Sequence, residues 1–355
     1  MKGIKAMFKF FGSTVPYYVF LVTAICCLFL GYLAGESAPF TDAPTNTPVT
    51  DSAVKKSLGT CTYSLPRLKG YNFVKPLLFS EPECESDEHI ALKEQINELI
   101  KGYQSAGKLK SASVYFRNLE DEGWICINGD EKFEPASLYK VPVLMTVLRI
   151  SESTPGYLER KLTFSEPINI KDRVQTFHEK GIEMGKTYTL RELLYNMITY
   201  SDNNAAVMLF NYISVAEFNK TLTDLGIEPL KSGEVYHPLT VKGYANFFKV
   251  LFDAGYLTIH DSEYALSLLS QSTFKNGILA GVPGNIKVAH KFGEGSGTNA
   301  NGHELHEAGI VYYDDHPYLL TVMTSGADFN TLTEIIGNIS KVTYIHQANT
   351  YNGGV

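Results

Sequence analysis

Hydrophobic patterning divides the chain before any single residue is considered. Residues 15–34 are almost continuously apolar, and Lys2, Lys5 and Lys9 precede them. About twenty apolar residues is the length a helix needs to cross a bilayer. Basic residues on that side predict a cytoplasmic N-terminus over residues 1–14 and an uncleaved transmembrane signal-anchor. The rest of the chain is then extracytoplasmic, held at the cell membrane by a single pass through the lipid bilayer. A cleaved signal peptide ending near Leu33-Ala34-Gly35 is the alternative, and the length of the run favours the anchor. Cys26 follows Thr23-Ala24-Ile25, a poor signal for lipid attachment. Residues 35–60 are rich in Ser, Thr, Pro and Asp, bury little and read as a flexible linker. Residues 61–87 are more apolar but full of turn residues, and read as an extended arm packed on the domain that begins at Glu88.

From Glu88 the periodicity becomes regular. Ile90, Leu92, Ile96, Leu99 and Ile100 predict an amphipathic helix. Residues 111–119 and 124–127 are β-rich runs around a polar turn, which predicts a hairpin. The apolar run from Val141 to Leu148 predicts a buried helix. Residues 157–260 are helical in character, with helices expected over 189–198, 205–212, 215–225 and 239–252, and a further one over 262–270. Strands return over 286–292, 307–313 and 318–324, and residues 329–348 close the chain as a helix. Strands at both ends with helices between predict one antiparallel sheet assembled from both ends of a single domain, residues 88–348, with a helical insertion.

Composition narrows the partners. The formal net charge is -7, and no basic stripe with interleaved aromatics occurs, so nucleic acid is excluded as a partner. None of the five cysteines has CxxC spacing, which argues against zinc, and no cofactor is expected. In an exported domain Cys61 and Cys84 are placed to bridge a short loop, leaving Cys126 as a buried thiol. His303-Glu304-Leu305-His306 is not a His-Glu-x-x-His pattern, and it falls in a loop entering a strand, so it is not read as a metal site.

Chemistry enters with Ser137-Leu138-Tyr139-Lys140. On a helix these two residues sit at i and i+3 on one face, an amine beside a hydroxyl at a helix N-terminus. Two further elements come after it in order: Ser201-Asp202-Asn203 in a break between helices, and Lys291-Phe292-Gly293 on a strand running into Gly293-Glu294-Gly295. Each element alone is common. Their ordered conjunction is specific, and on it the chain resembles the penicillin-recognising serine hydrolases, above all the class A β-lactamase-like branch. The wording around the motifs is similar too, from Phe133-Glu134-Pro135-Ala136 to Thr189-Leu190-Arg191-Glu192 and Val288-Ala289-His290.

The resemblance implies an α/β fold of the α+β kind: a five-stranded antiparallel sheet flanked by helices, plus an all-helical subdomain, with a cleft between them. It implies an acyl-enzyme formed on β-lactams or on D-Ala-D-Ala-type cell-wall peptides. Ser137 is then the nucleophile, and Lys140 its base if burial and the nearby Lys291 depress its pKa. Ser201 relays a proton to the leaving nitrogen. Asn203 binds the substrate amide, and Lys291 faces a substrate carboxylate. The backbone N–H groups of Ser137 and of Glu294, the residue after Gly293, form the oxyanion hole.

Two positions depart from that family. Phe292 stands where it has Thr or Ser, which removes a hydroxyl from the carboxylate-binding strand, and Glu294 adds an acid beside it. Residues 227–238 lack a Glu-x-x-x-Asn element, so Glu228 and Glu234 are the only acids there for activating a deacylating water. A non-catalytic module that binds cell-wall peptide or a partner protein is the rival reading.

Overall fold

A computed structural model describes residues 61–166, 176–177, 180–234, 237–295 and 302–352. The predicted membrane segment, its flanks and the linker lie outside the described residues. Among the described residues no helix is long and apolar enough to cross a membrane. Residues 61–355 form one compact unit with its own core and disulfide, which is what a self-folding domain requires.

The arm pairs Tyr63–Ser64 (β1) with Glu81–Pro82 (β2), and the Cys61–Cys84 disulfide closes it. Cys126 is the free thiol, and burial pushes its pKa up to about 11. Helix α1, Ile90–Ser105, buries Leu92, Ile96 and Ile100, one residue per turn on one face. Strands β3, Leu109–Asn118, and β4, Trp124–Ile127, form the expected hairpin. A 3₁₀ turn over Ala136–Tyr139 then leads into α2, Lys140–Ser153, whose first nine residues through Leu148 are all buried. That all-round burial is why the sequence there is apolar without periodicity.

The stretch expected to be wholly helical first makes a small ribbon, β5 (Lys161–Thr163) with β6 (Thr187–Thr189). Four helices come next: α3, Leu190–Thr199; α4, Asn203–Tyr212; α5, Val215–Asp224; and α6, Val241–Phe252. Thr189 with Glu192, and Ser214 with Glu217, are capping boxes that fix where α3 and α5 begin. Helix α7, Ile259–Leu269, starts earlier than its apolar residues suggested, capped by Thr258. The chain ends with β7 (Lys287–Gly295), β8 (His303–Tyr312), β9 (Tyr318–Gly326) and α8 (Phe329–Asn352).

The main sheet is five-stranded and antiparallel, ordered β4-β3-β9-β8-β7. β3 pairs with β9 along its length, so the domain's two ends meet in mid-sheet. One core lies between sheet and terminal helices, with Ile96, Val114, Val322, Ile335 and Ile339. The other joins the opposite face to the helical part, with Leu144, Met197, Phe218, Tyr244, Ala289 and Ala308. Burying each of the larger aliphatic and aromatic side chains among these contributes about 1.5–3 kcal/mol. β7 is left as an open edge. β8 corrects the sequence reading: His303 to His306 belong to the strand, because pairing with β9 reaches back to His303 and pairing with β7 to Glu304.

Candidate active site

The Ser137 turn is fixed from several sides. Phe133 and Leu239 exchange backbone hydrogen bonds, each 2.9 Å. Glu134 O lies 3.0 Å from His306 Nε2, and Tyr244 Oη donates to Leu138 O at 3.0 Å. The backbone N–H of Thr324 donates to His306 Nδ1 at 3.2 Å, which leaves Nε2 facing Glu134 O. His306 is thus a brace for the turn, which no sequence pattern disclosed. Gly293 on β7 crosses so close that an added Cβ would lie 2.7 Å from Pro135 O and 3.0 Å from Leu138 N. Any side chain there would push the edge strand off the turn. This is the physical reason for glycine in Lys-x-Gly.

Ser137 lies in the 3₁₀ turn, half-buried, and Lys140 opens α2 behind it. Lys140 Nζ donates to Asn203 Oδ1 at 2.8 Å, to Ser201 Oγ at 3.1 Å and to Ser201 O. Lys291 Nζ approaches the same hydroxyl from β7, donating to Ser201 Oγ at 2.9 Å and to Phe292 O at 2.7 Å. Ser201 and Lys291 are fully buried. Burial, and then the charge of Lys140, push the Lys291 amine well below the ordinary lysine range, against smaller opposing effects of Glu307 and Glu294. The structure therefore brings Lys140, Ser201, Asn203 and Lys291 together, with Gly293 against the Ser137 turn.

Asp202 explains how the middle motif is held. Its side chain caps α4, accepting from Asn204 N at 2.8 Å, and also accepts from Ile182 N at 2.6 Å. Ser201 has φ 55° and Ala136 φ 47°. Left-handed backbone at a non-glycine residue costs of order 1–3 kcal/mol and collects at functional sites. Here it flanks both hydroxyls.

The departing residues have definite places. Phe292 is buried, stacked on Phe274 with centroids 4.2 Å apart, and its ring lies 4.2 Å from Lys291 Nζ. An aromatic face thus covers the amine where the resemblance implied a hydroxyl. The Glu294 carboxylate accepts from the backbone N–H groups of Thr176 and Phe177, at 2.9 and 3.3 Å. Its charge is turned onto a neighbouring segment, a contact 117 or more residues away in sequence. Glu228 and Glu234 both meet His237, at 3.1 and 3.4 Å, while His237 N donates to Tyr139 Oη at 2.9 Å. Among the described residues no group of three or more His, Cys, Asp or Glu is arranged to hold a metal. The buried His290 pairs with Glu307 at 2.5 Å, and Glu307 also accepts from Ile278 N, as part of the packing.

An α+β scaffold with two lysines meeting at a serine, beside a second serine on a braced turn, defines the class of site. The model of the β-lactamase enzyme family matches residues 91–347, and the chain belongs to that family. It is 26% identical to the β-lactamase OXY-2 of Klebsiella oxytoca over 250 residues, 65% of this chain and 80% of that one. With a Proteus vulgaris β-lactamase it shares 28% over 152 residues, 42% of this chain and about half (48%) of the relative. Among solved structures, a β-lactamase from Chitinophaga pinensis superposes with TM-score 0.62 and 21% identity, covering 72% of this chain and 98% of that one. PBP-A, as the L158E mutant in an acyl-enzyme complex with penicillin G, gives 0.59 and 21%, covering 72% and 96%. At these identities the superpositions speak for the fold.

Proposed function

We propose that this protein is a membrane-anchored, extracytoplasmic serine acyl-transfer enzyme that reacts with β-lactams and takes D-Ala-D-Ala-type cell-wall peptides as its substrate class. The observation that supports this best is the meeting of Lys140 Nζ and Lys291 Nζ at Ser201 Oγ, beside the braced Ser137 turn. Ser137 Oγ attacks the amide or lactam carbonyl carbon, and its proton passes to Lys140. The N–H groups of Ser137 and Glu294 hold the oxyanion, an arrangement worth about 3 kcal/mol per donor. The C–N bond breaks as Ser201 passes a proton to the leaving nitrogen, re-supplied from the lysines on either side. Asn203 orients the substrate amide. Water then cleaves the Ser137 ester, releasing the acid and restoring the hydroxyl.

Clearing the ester is the slow half. Both acids of residues 227–238 are engaged with His237, which supports a long-lived β-lactam adduct over rapid turnover. The apolar run at residues 15–34 is the proposed anchor. The test is incubation with a fluorescent penicillin and then intact-mass and peptide analysis. The expected result is a persistent adduct on Ser137, absent in Ser137→Ala. Rapid release of hydrolysed penicillin would make it a β-lactamase. A folded protein that no penicillin or serine-directed probe labels would favour a binding module.

A further inference from the structure

The family match begins at residue 91, and the arm before it carries a surface that catalysis does not use. Leu68 N donates to Pro76 O at 3.0 Å and Leu78 N to Pro66 O at 2.9 Å, with an antiparallel bridge between Arg67 and Leu77. These bonds fold residues 66–78 into a narrow hairpin. Its base is rooted, since Leu68 and Leu78 are buried in the core and Arg67 Nη1 donates to Lys75 O at 2.6 Å. Gly255 packs against Leu78 so closely that an added Cβ would lie 2.1 Å from its carbonyl oxygen.

The tip is the reverse. Residues 69–75 are all exposed, with Phe73 at 99%, Val74 at 56% and Tyr71 at 49%. Tyr63, Leu65 and Leu77, elsewhere in the arm, are exposed as well. A bare phenylalanine at the end of an ordered turn gains nothing from its own chain. Contiguous exposed apolar side chains of this kind mark a contact surface.

Charge identifies what the surface meets. Arg67, Lys69 and Lys75 are all exposed. No Asp or Glu occurs between Cys61 and Ser80, although the whole chain carries -7. Aromatic and aliphatic side chains flanked by lysine and arginine suit the headgroup region of an anionic bilayer. The rings reach the acyl boundary while the cations meet lipid phosphates. In sequence this arm is also the part of the folded unit nearest the apolar run at residues 15–34.

We propose that the hairpin at residues 66–78 docks on an anionic lipid bilayer. Phe73 and Val74 enter the surface, Tyr71, whose hydroxyl accepts from Arg149 Nη2 at 3.3 Å, lies at its rim, and Arg67, Lys69 and Lys75 lie on the phosphates. The contact is separate from the apolar run and from Ser137 chemistry. It would fix how the catalytic unit faces the membrane.

The test uses residues 61–355 with sedimentable vesicles of phosphatidylcholine alone, or mixed equally with phosphatidylglycerol. The expected result is co-sedimentation with the anionic vesicles that fades as salt is raised. The double variant Phe73→Ser/Val74→Ser should bind at least about tenfold more weakly. Lys69→Gln and Lys75→Gln should each lose about fivefold. Thermal unfolding should stay unchanged in all of them, because the tip is solvent-exposed. No sedimentation with anionic vesicles, or sedimentation that these variants leave unchanged, overturns the proposal. Binding to isolated cell-wall polymer but not to vesicles, lost in the same variants, overturns it in favour of the wall.

Discussion

Among the described residues this protein buries lysines in two places and gives them different partners. Where the arm meets the domain, Glu81 from β2 is inserted among cations: Lys249 Nζ at 2.9 Å, Arg117 at 3.6 Å and Lys242 at 3.6 Å. Tyr115 Oη also donates to it, at 2.6 Å. Burial alone would raise the Glu81 pKa, but Lys249, Tyr115 and Lys242 together outweigh it and the net direction is down. Lys249, buried and sharing one carboxylate with the like-charged Arg117, falls to about 8. At the cleft, Lys291 is as deeply buried, but its hydrogen bonds go to a hydroxyl and a carbonyl. Among the described residues no carboxylate is hydrogen-bonded to it. A buried cation with a carboxylate in contact is a structural element. One without such a partner readily gives up its proton, which is what a proton relay needs.

The largest effect should come from the cleft. Lys291→Met is expected to slow penicillin acylation of Ser137 by about a thousandfold, measured by stopped-flow or gel labelling. Its melting temperature should hold or rise, because an apolar chain replaces a desolvated amine. A fall in stability as large as that of a Glu81 variant would break the comparison.

Glu81→Gln is the converse. Removing the carboxylate that three cations share should cost about 3–5 kcal/mol in denaturant unfolding. Acylation by the still-folded fraction should stay near normal. Because the folded pKa of Glu81 is lowered, its contribution is full above the ordinary value and is lost as pH falls through the folded one. The parent and Glu81→Gln should therefore converge in acid, which urea titrations over pH will show.

For Lys291 the sign differs in origin. The unfolded lysine keeps its proton up to about 10.4, while the folded one sheds it earlier, so unfolding takes up a proton. Stability should rise with pH between those two values, and acylation should rise on the limb set by the folded one. Lys291→Met should flatten the stability slope. The smallest change is Phe292→Leu, about 1–2 kcal/mol of stability from lost stacking and volume. Withdrawing the ring from Lys291 Nζ should also move the acylation limb to a different pH.

Local patterns were legible wherever their cause was local. The spacing of Leu92, Ile96 and Ile100 marked α1. Thr189 and Glu192 announced the start of α3, and the apolar run after Lys140 marked a buried helix. The order of Ser137, Lys140, Ser201, Asn203, Lys291 and Gly293 was readable as one candidate site because each short motif has its own geometry. Other features were not. The ribbon of β5 and β6 pairs short segments far apart in sequence. β8 begins at His303 because β9 pairs with it there, and β7 joins from Glu304. Phe292 read as a missing hydroxyl until its ring was found against Phe274 and Lys291.

The sequence by itself determined the helices, the two-ended sheet and the motifs that carry the candidate site, since periodicity, capping and motif spacing act over a few residues. Tertiary structure alone decided that two lysines 151 residues apart by numbering, 140 and 291, meet at one serine hydroxyl. It also decided that His306 braces the Ser137 turn and that Glu294 turns toward Thr176 and Phe177. Burial and contact between distant segments set protonation and charge balance, and neither is encoded within reach of a local pattern.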